Sequence, residues 1–97
     1  MNNNMNARLI EKSRTVIDDA TFFEVAFWHL PSPVPGSSHS FKYRLALVVN
    51  GKCVLRYDNE RGKGDHRHIL ECEEPIAFTS LAALLAAFTA DMERILK

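Results

Sequence analysis

The stretch from Arg56 to His68 concentrates the side chains of this chain that can do chemistry. Its thirteen residues include four cations, three carboxylates, two imidazoles, a phenol and two glycines. If the segments flanking the glycine loop pair as strands, Arg56 and Asp58 should lie beside His66 and His68. Residues two positions apart point to the same face of a strand, so the two imidazoles should share one face.

Metal-independent cleavage of RNA needs this combination of groups. A base takes the proton of the 2′-hydroxyl, an acid protonates the leaving oxygen, and cations stabilise the pentacoordinate phosphate. Histidine suits proton transfer near neutral pH, and the planar guanidinium of arginine matches phosphate oxygens. No cofactor is required. We predict catalytic roles for His68, His66, Arg56 and Arg67, substrate binding by Lys63, Arg61, Arg44 and Tyr57, and orienting roles for Asp58 and Asp65.

Two other interpretations of the same residues remain open. His66 and His68 with Asp58 or Asp65 form a plausible set of metal ligands. An H-x-H sequence with one carboxylate, however, often occurs by chance. Polar residues around a glycine loop are also typical of any exposed hairpin. Elsewhere we interpret His29 and His39 as incidental, Trp28 as a core or edge residue, and Glu73-Glu74 before Pro75 as a solvated turn. No metal is included in the predicted site.

The charge of the chain sums to zero, but its distribution is uneven. Residues 42–68 hold seven basic and three acidic residues, a net charge of +4. Residues 1–41 and 69–97 carry −1 and −3 respectively. A local basic field suits a polyanion such as RNA or an acidic protein partner.

The elements that must position these residues follow from hydrophobic pattern and turn signals. Helix-forming residues from Ala7 to Val16 predict a short N-terminal helix after a polar, disordered tail over residues 1–6. Strands are predicted over Thr21–Leu30, Phe41–Val49, Cys53–Tyr57 and His66–Cys72, with a Pro-rich loop after the first.

The Asn50-Gly51 pair predicts a hairpin between the second and third of these strands. A two-residue turn would pair Leu45 with Arg56, whereas a three-residue loop would pair Leu45 with Tyr57 and Leu47 with Leu55. We favour the second register, or an equivalent bulge, because it keeps one face apolar and opposes Arg44 to Asp58.

A change to helical periodicity follows Thr79. The apolar stripe comprises Leu81, Leu84, Leu85, Phe88, Met92, Ile95 and Leu96, with Thr79 or Ser80 as N-cap. The predicted fold is therefore α+β: a four-stranded, mostly antiparallel sheet with an N-terminal and a C-terminal helix packed on one face. The length predicts a single domain over residues 1–97.

Cys53 and Cys72 are too few and too far apart for a disulfide framework, and we expect them to be buried, inert thiols. Together with an N-terminus that lacks a secretory signal, they favour a cytoplasmic location. No apolar run reaches the ~20 residues of a membrane span, so no membrane partner is expected.

The segment from Phe41 to the C-terminus resembles the TumE family of bacterial toxins. The resemblance centres on Arg-Tyr-Asp-Asn at 56–59, on the run from Lys63 to His68 and on the C-terminal helix. It implies a cytoplasmic toxin of a toxin–antitoxin system, encoded beside a helix-turn-helix antitoxin that neutralises it. The predicted order of elements is also similar to RelE-like ribonuclease toxins, at the level of fold only.

Two functional hypotheses follow. The first is a toxin that impairs translation as a metal-independent ribonuclease, with RNA and a helix-turn-helix antitoxin as partners. The alternative is a non-catalytic binding module that docks an antitoxin or DNA-binding partner through the basic hairpin face. A homodimer is possible if the apolar strand Phe22–Trp28 lies at a sheet edge.

Overall fold

A computed structural model describes residues 6–97, which form one antiparallel sheet and one helix. The strands are β1 (Arg8–Asp18), β2 (Thr21–His29), β3 (Phe41–Val49), β4 (Lys52–Glu60), β5 (Gly64–Ile69) and β6 (Cys72–Pro75). They pair in chain order, so β1 and β6 form the two edges. The helix α1 (Leu81–Leu96) follows the last strand. Most of the expected tail over residues 1–6 lies outside the described residues.

The predicted four-stranded α+β fold is wrong, because the protein is mostly β with six strands and a single helix in the described residues. The sheet is antiparallel, as expected. The strand predicted over His66–Cys72 divides into β5 and β6 at a turn where Leu70 has a positive φ of 55°. Glu73 and Glu74, expected in a solvated turn, belong to β6.

The residues expected to form an N-terminal helix form β1 instead. This strand pairs with β2 from Arg8 opposite His29 to Asp18 opposite Thr21. The carboxylate of Asp18 accepts a hydrogen bond of 2.8 Å from the backbone N–H of Ala20 in the connecting turn. A short helix without a continuous apolar stripe has little to stabilise it, whereas a strand here gains a ladder of hydrogen bonds with β2.

The β3–β4 hairpin has the predicted register around its centre. Leu45 lies opposite Tyr57, Leu47 opposite Leu55, and Arg44 opposite Asp58. A bulge after Leu47 then allows a tight turn at Asn50-Gly51, where both residues have positive φ. The bulge therefore allows both the tight turn and a continuous apolar face. The sequence had predicted either a three-residue loop or such a bulge.

The hydrophobic core lies between α1 and one side of the sheet, which we call the core face. Leu84, Phe88 and Met92 of the helix pack on Leu45 and Tyr57, among others. The helix begins with Ser80 as its N-cap, whose hydroxyl accepts a hydrogen bond of 3.0 Å from Ala83 N–H. We call the opposite side, which α1 does not cover, the open face.

One further expectation fails, and the condition stated for a homodimer is not met. Cys53 and Cys72 are both exposed rather than buried. The strand Phe22–Trp28 lies within β2, between β1 and β3, so it cannot pair across a dimer as an edge strand. Across residues 6–97, no helix combines the length and the apolar character needed to cross a membrane.

Candidate active site

The pairing of β4 with β5 brings the predicted proton-transfer residues together. Arg56 lies opposite His68 and Asp58 lies opposite His66, as the sequence predicted. All four point to the open face, because the alternate residues Leu55 and Tyr57 belong to the core. The two imidazole rings meet edge to face with their centroids 5.1 Å apart.

His66 is the most enclosed member of this group, with a side chain only 5% exposed. Its Nδ1 lies 2.9 Å from the carbonyl oxygen of Gly64, and a carbonyl only accepts, so Nδ1 carries the hydrogen. Its Nε2 lies 2.8 Å from Oδ1 of Asp58 and 3.1 Å from Oε2 of Glu73. Neither contact has the alignment of a hydrogen bond.

His68 is more accessible, with its side chain 27% exposed. Its Nε2 lies 2.9 Å from Oε2 of Glu73, the same oxygen that contacts His66. The register explains this, because Glu73 of β6 lies directly opposite His68. Sequence reasoning missed Glu73 because a short acidic segment before Pro75 is typical of a turn. His66, His68 and Glu73 each offer one possible metal-ligand atom within 4.8 Å of the others.

Arg56 supplies a positive charge beside the imidazoles. Its Nε lies 3.0 Å from Oδ2 of Asp58, while Oδ1 of the same carboxylate faces His66. Asp58 therefore lies between the guanidinium and the first imidazole. Arg56 is only partly buried, so the outer part of its guanidinium can reach an anion on the open face.

Arg67 and Tyr57 do not join this group, because both point to the core face. Tyr57 donates a hydrogen bond to the buried Asp91 of α1, and Arg67 donates another to the same oxygen at 2.9 Å. Burial, and then the hydrogen bond to Asp91, raise the pKa of Tyr57 to about 12. Burial alone would favour neutral Asp91, but hydrogen bonds from Tyr57, Arg67 and Arg94 lower its pKa below the usual value. These residues anchor the helix and are placed away from a substrate on the open face.

Asp65 also faces away from the two imidazoles. Its carboxylate accepts hydrogen bonds from the hydroxyl of Ser37 at 2.9 Å and from Nε2 of His39 at 2.9 Å. Nδ1 of His39 accepts from the backbone N–H of Phe41, so its Nε2 must carry the hydrogen that Asp65 receives. The expected orienting role of Asp65 therefore has no geometric support, and His39, interpreted as incidental, stabilises a loop.

The predicted substrate-binding cations are distributed around the open face. Lys63 and Arg61 lie in the exposed loop between β4 and β5, and Lys63 forms an ion pair of 3.4 Å with Glu60. Lys63 and His66 border a depression of about 390 Å³ whose remaining wall comes from β6. Arg44 is exposed and lies across β3 from Asp58.

A second depression of about 420 Å³ extends the open face toward β1. It is bordered by Lys12, Arg14, Trp28 and Arg44, together with neighbouring residues of β1 and β2. The guanidinium of Arg14 stacks on Phe22 at 3.8 Å and its Nε lies 3.2 Å from Glu24. Sequence reasoning missed this surface because Lys12 and Arg14 were assigned to a helix and Trp28 to the core or an edge.

The fold and this site define a small, mostly β protein whose open face combines two imidazoles with several cations. The family model for toxin TumE matches residues 6–96, nearly the whole chain, including the N-terminal third that carried little of the resemblance. The chain belongs to the TumE toxin family. Membership indicates the toxin of a toxin–antitoxin system, and with it an antitoxin partner. No curated protein and no solved structure matches the chain.

Proposed function

We propose that this toxin impairs translation by cleaving RNA in the cytoplasm without a metal ion, through His68 and His66 of the open face. The observation that supports this proposal best is the β4–β5 register, which sets the two imidazoles side by side next to Arg56. The side of the sheet that carries them is free of the helix, so an RNA strand can approach. The neutralising partner is a helix-turn-helix antitoxin.

The mechanism assigns the more exposed imidazole to the first proton transfer. His68 takes the proton of the 2′-hydroxyl, whose oxygen attacks the adjacent phosphorus and forms the cyclic phosphate. His66, which borders a depression together with Lys63, gives a proton to the departing 5′-oxygen. Arg56 stabilises the charge on the phosphate oxygens. Arg67 and Tyr57, which point to the core face, have no part in this mechanism.

The substrate strand follows the basic part of the open face. Arg44 and Lys12 border the depression between β1 and β3 and offer positive charge to phosphates. Trp28, the one tryptophan of the chain, borders the same depression and offers a ring on which a base can stack. Intrinsic fluorescence therefore reports on binding at this surface.

The experiment measures cleavage of single-stranded RNA by the purified toxin, freed of antitoxin and kept in EDTA. We expect cleavage by the wild-type protein and a loss of about a hundredfold or more in His68→Ala, because positioned acid–base groups contribute roughly 10²–10⁴-fold. His29→Ala, which removes a histidine at the end of β2, is the matched control and should keep full activity. On expression, the wild type and His29→Ala should inhibit growth equally, and His68→Ala should inhibit it much less.

Two outcomes contradict the proposal. One is an antitoxin-free wild-type protein that cleaves no RNA in EDTA. The other is a folded His68→Ala variant that stays fully toxic. The melting temperature of each variant is measured alongside, so that lost activity is not confused with lost structure.

A second candidate function is a non-catalytic module that docks an antitoxin or a DNA-binding partner through its basic hairpin face. The observation that favours it is that Asp58 and Glu73 already pair with Arg56 and both imidazoles, as in a structural network of charges. The cleavage assay separates the two functions. A toxin that binds its partner in a salt-dependent way but turns over no RNA supports docking.

A further inference from the structure

Three electron-rich atoms converge on the open face between β5 and β6. Nε2 of His66 and Nε2 of His68 both lie about 3 Å from Oε2 of Glu73, at 3.1 and 2.9 Å respectively. The strand register holds them there, because His68 and Glu73 are directly opposed and His66 lies two positions along the same face. The convergence is therefore built into the backbone pairing of the sheet.

The hydrogen bond made by Nδ1 of His66 determines which ring nitrogen faces this group. With Nδ1–H donating to the Gly64 carbonyl, Nε2 is the nitrogen that faces the carboxylate oxygens of Asp58 and Glu73. Nε2 of both histidines and Oδ1 of Asp58 are buried and lack an aligned hydrogen-bond partner. Buried polar atoms that lack hydrogen-bond partners are unfavourable, and a cation bound among them would give them a partner.

A metal ion can bind Nε2 of both histidines and one carboxylate oxygen of Glu73 at once. Histidines that bind metals commonly donate their second ring N–H to a backbone carbonyl, which fixes the tautomer and aims the other nitrogen at the ion. His66 already has this arrangement. Zinc bonds of roughly 2.0–2.1 Å at tetrahedral angles place neighbouring ligand atoms about 3.3 Å apart. The observed 2.9 and 3.1 Å separations need to open by only a few tenths of an ångström.

We propose that His66, His68 and Glu73 form a binding site for a transition-metal ion, with zinc as the preferred ion. Two imidazoles and one carboxylate form a set that zinc and related first-row ions favour, whereas magnesium and calcium prefer oxygen ligands alone. Asp58 stays paired with Arg56. Three protein ligands leave the fourth position of a tetrahedral ion open to water or phosphate.

This site has a consequence for the proposed ribonuclease, although it does not depend on it. A bound ion occupies the Nε2 atoms of His66 and His68, which then cannot donate or accept a proton. Metal binding therefore blocks cleavage, and removing the metal with a chelator restores it. Occupancy of the site would make toxicity sensitive to the concentration of free zinc.

The test measures metal binding to the purified toxin without RNA. Protein dialysed against EDTA, and then freed of the chelator, is titrated with Co²⁺ and followed by its visible absorption. Zn²⁺ is added as the competitor. We expect saturation at one ion per chain, the intense absorption of tetrahedral Co²⁺, displacement by Zn²⁺ but not by excess Mg²⁺, and a higher melting temperature with metal.

Variants locate the site. Glu73→Gln and His68→Ala should each weaken binding by about tenfold or more, since loss of even a supporting group costs roughly 10–100-fold. Glu71→Gln, which changes an exposed carboxylate two residues away in the β5–β6 turn, is the matched control and should bind as the wild type does. Glu73 is itself exposed, so its variant should fold.

The outcomes separate this inference from the proposed function. No saturable binding of Co²⁺ or Zn²⁺, or equal binding by wild type and Glu73→Gln, overturns the metal site. RNA cleavage that requires Zn²⁺ supports the site and overturns the metal-independent mechanism. A toxin that binds one Zn²⁺ but cleaves no RNA in any condition supports the site and overturns the ribonuclease.

Discussion

Two enclosed histidines of this protein differ in the nitrogen that carries the hydrogen. In His39, Nδ1 accepts from the Phe41 N–H, so Nε2 donates to Asp65 and both nitrogens are satisfied. In His66, Nδ1 donates to the Gly64 carbonyl, and Nε2 faces carboxylates. The hydrogen bond made by Nδ1 thus separates a histidine that stabilises a loop from one whose Nε2 faces the proposed site.

The carboxylate of Asp91 gives the first prediction, concerning acid stability. Its pKa is lowered in the folded state, so its contribution is present above the unfolded pKa and is lost as pH falls through the folded pKa. Asp91→Asn should lower the free energy of unfolding by about 2 kcal/mol at pH 7, because a buried acceptor of charge-assisted hydrogen bonds is lost. The difference from wild type should shrink as pH falls below about 4.

Urea unfolding measured from pH 7 down to pH 3 checks this prediction. Glu93→Gln removes an exposed carboxylate from the same helix and should leave both the stability and its pH dependence close to those of the wild type. A difference between Asp91→Asn and wild type that stays constant over the whole pH range would show that ionisation of Asp91 plays no part.

The Pro-rich loop between β2 and β3 is held against the start of β5 by a close backbone approach. Gly64 has a φ of 76°, and a Cβ placed on it would lie 2.7 Å from the carbonyl oxygen of Gly36. The N–H of Gly62 donates a hydrogen bond of 2.7 Å to the Pro35 carbonyl in the same contact. This packing fixes where β5 begins, and therefore where His66 and its Gly64 partner lie.

The second prediction compares two glycines with similar backbone angles. Gly62 has a φ of 83°, and nothing lies within 4 Å of an added Cβ. Gly62→Ala should therefore cost about 1 kcal/mol of stability, which is the cost of holding alanine in the left-handed region. Gly64→Ala adds the clash with Gly36 and should cost at least about 2 kcal/mol. Urea unfolding of both variants measures the difference. Equal losses would mean that the loop moves aside freely and does not fix β5.

Elements with an apolar pattern were predictable from the sequence, and exposed ones were not. The centre of the β3–β4 hairpin alternates between core and solvent, and α1 carries one apolar stripe. The register of Leu45 with Tyr57 therefore followed from the pattern, and Ser80 is one of the two N-caps that the sequence offered. Every residue of β1 is exposed, so it has no such pattern and its pairing with β2 is decided by tertiary structure. The same holds for β6, where Glu73 was missed.

The sequence predicted which residues lie close together only where strand pairing determines it. His66, His68, Arg56 and Asp58 could be grouped because the glycine loop brings two strands together with a defined alternation. By the same alternation Arg67 points to the opposite face, where its guanidinium donates a hydrogen bond to Asp91 of the helix. Its partner is 24 residues away, a distance over which the sequence carries no pairing information.

At the scale of the whole molecule, the two faces of one sheet carry different groups. The core face carries the packing against α1, whereas the open face carries the imidazoles, Arg44 and the depression beside Trp28. The zero net charge of the chain conceals this arrangement, because the acidic residues lie mostly outside residues 42–68. Substitutions on the two faces should therefore change different measurable properties.

The third prediction tests this separation. Phe88→Ala, which removes a fully buried ring from the core, should lower the free energy of unfolding by about 3–5 kcal/mol, a large share of the roughly 5–15 kcal/mol of a small domain. Arg44→Ala, on the open face, should change it by less than about 0.5 kcal/mol. Urea unfolding measures both, and Leu96→Ala, at an exposed position of α1, is the control for substitution in the helix.

RNA affinity should fall in Arg44→Ala, the open-face variant whose stability is expected to change least. Trp28 fluorescence, titrated with single-stranded RNA at several salt concentrations, gives the slope of log K against log salt. Losing one phosphate contact in Arg44→Ala should reduce this slope by about 0.7 and weaken binding, since single strands release about 0.7 counterion per contact. Leu96→Ala should leave slope and affinity unchanged. An Arg44→Ala variant with the wild-type slope would place the RNA elsewhere on the protein, because a phosphate contact cannot be lost without changing the number of ions released.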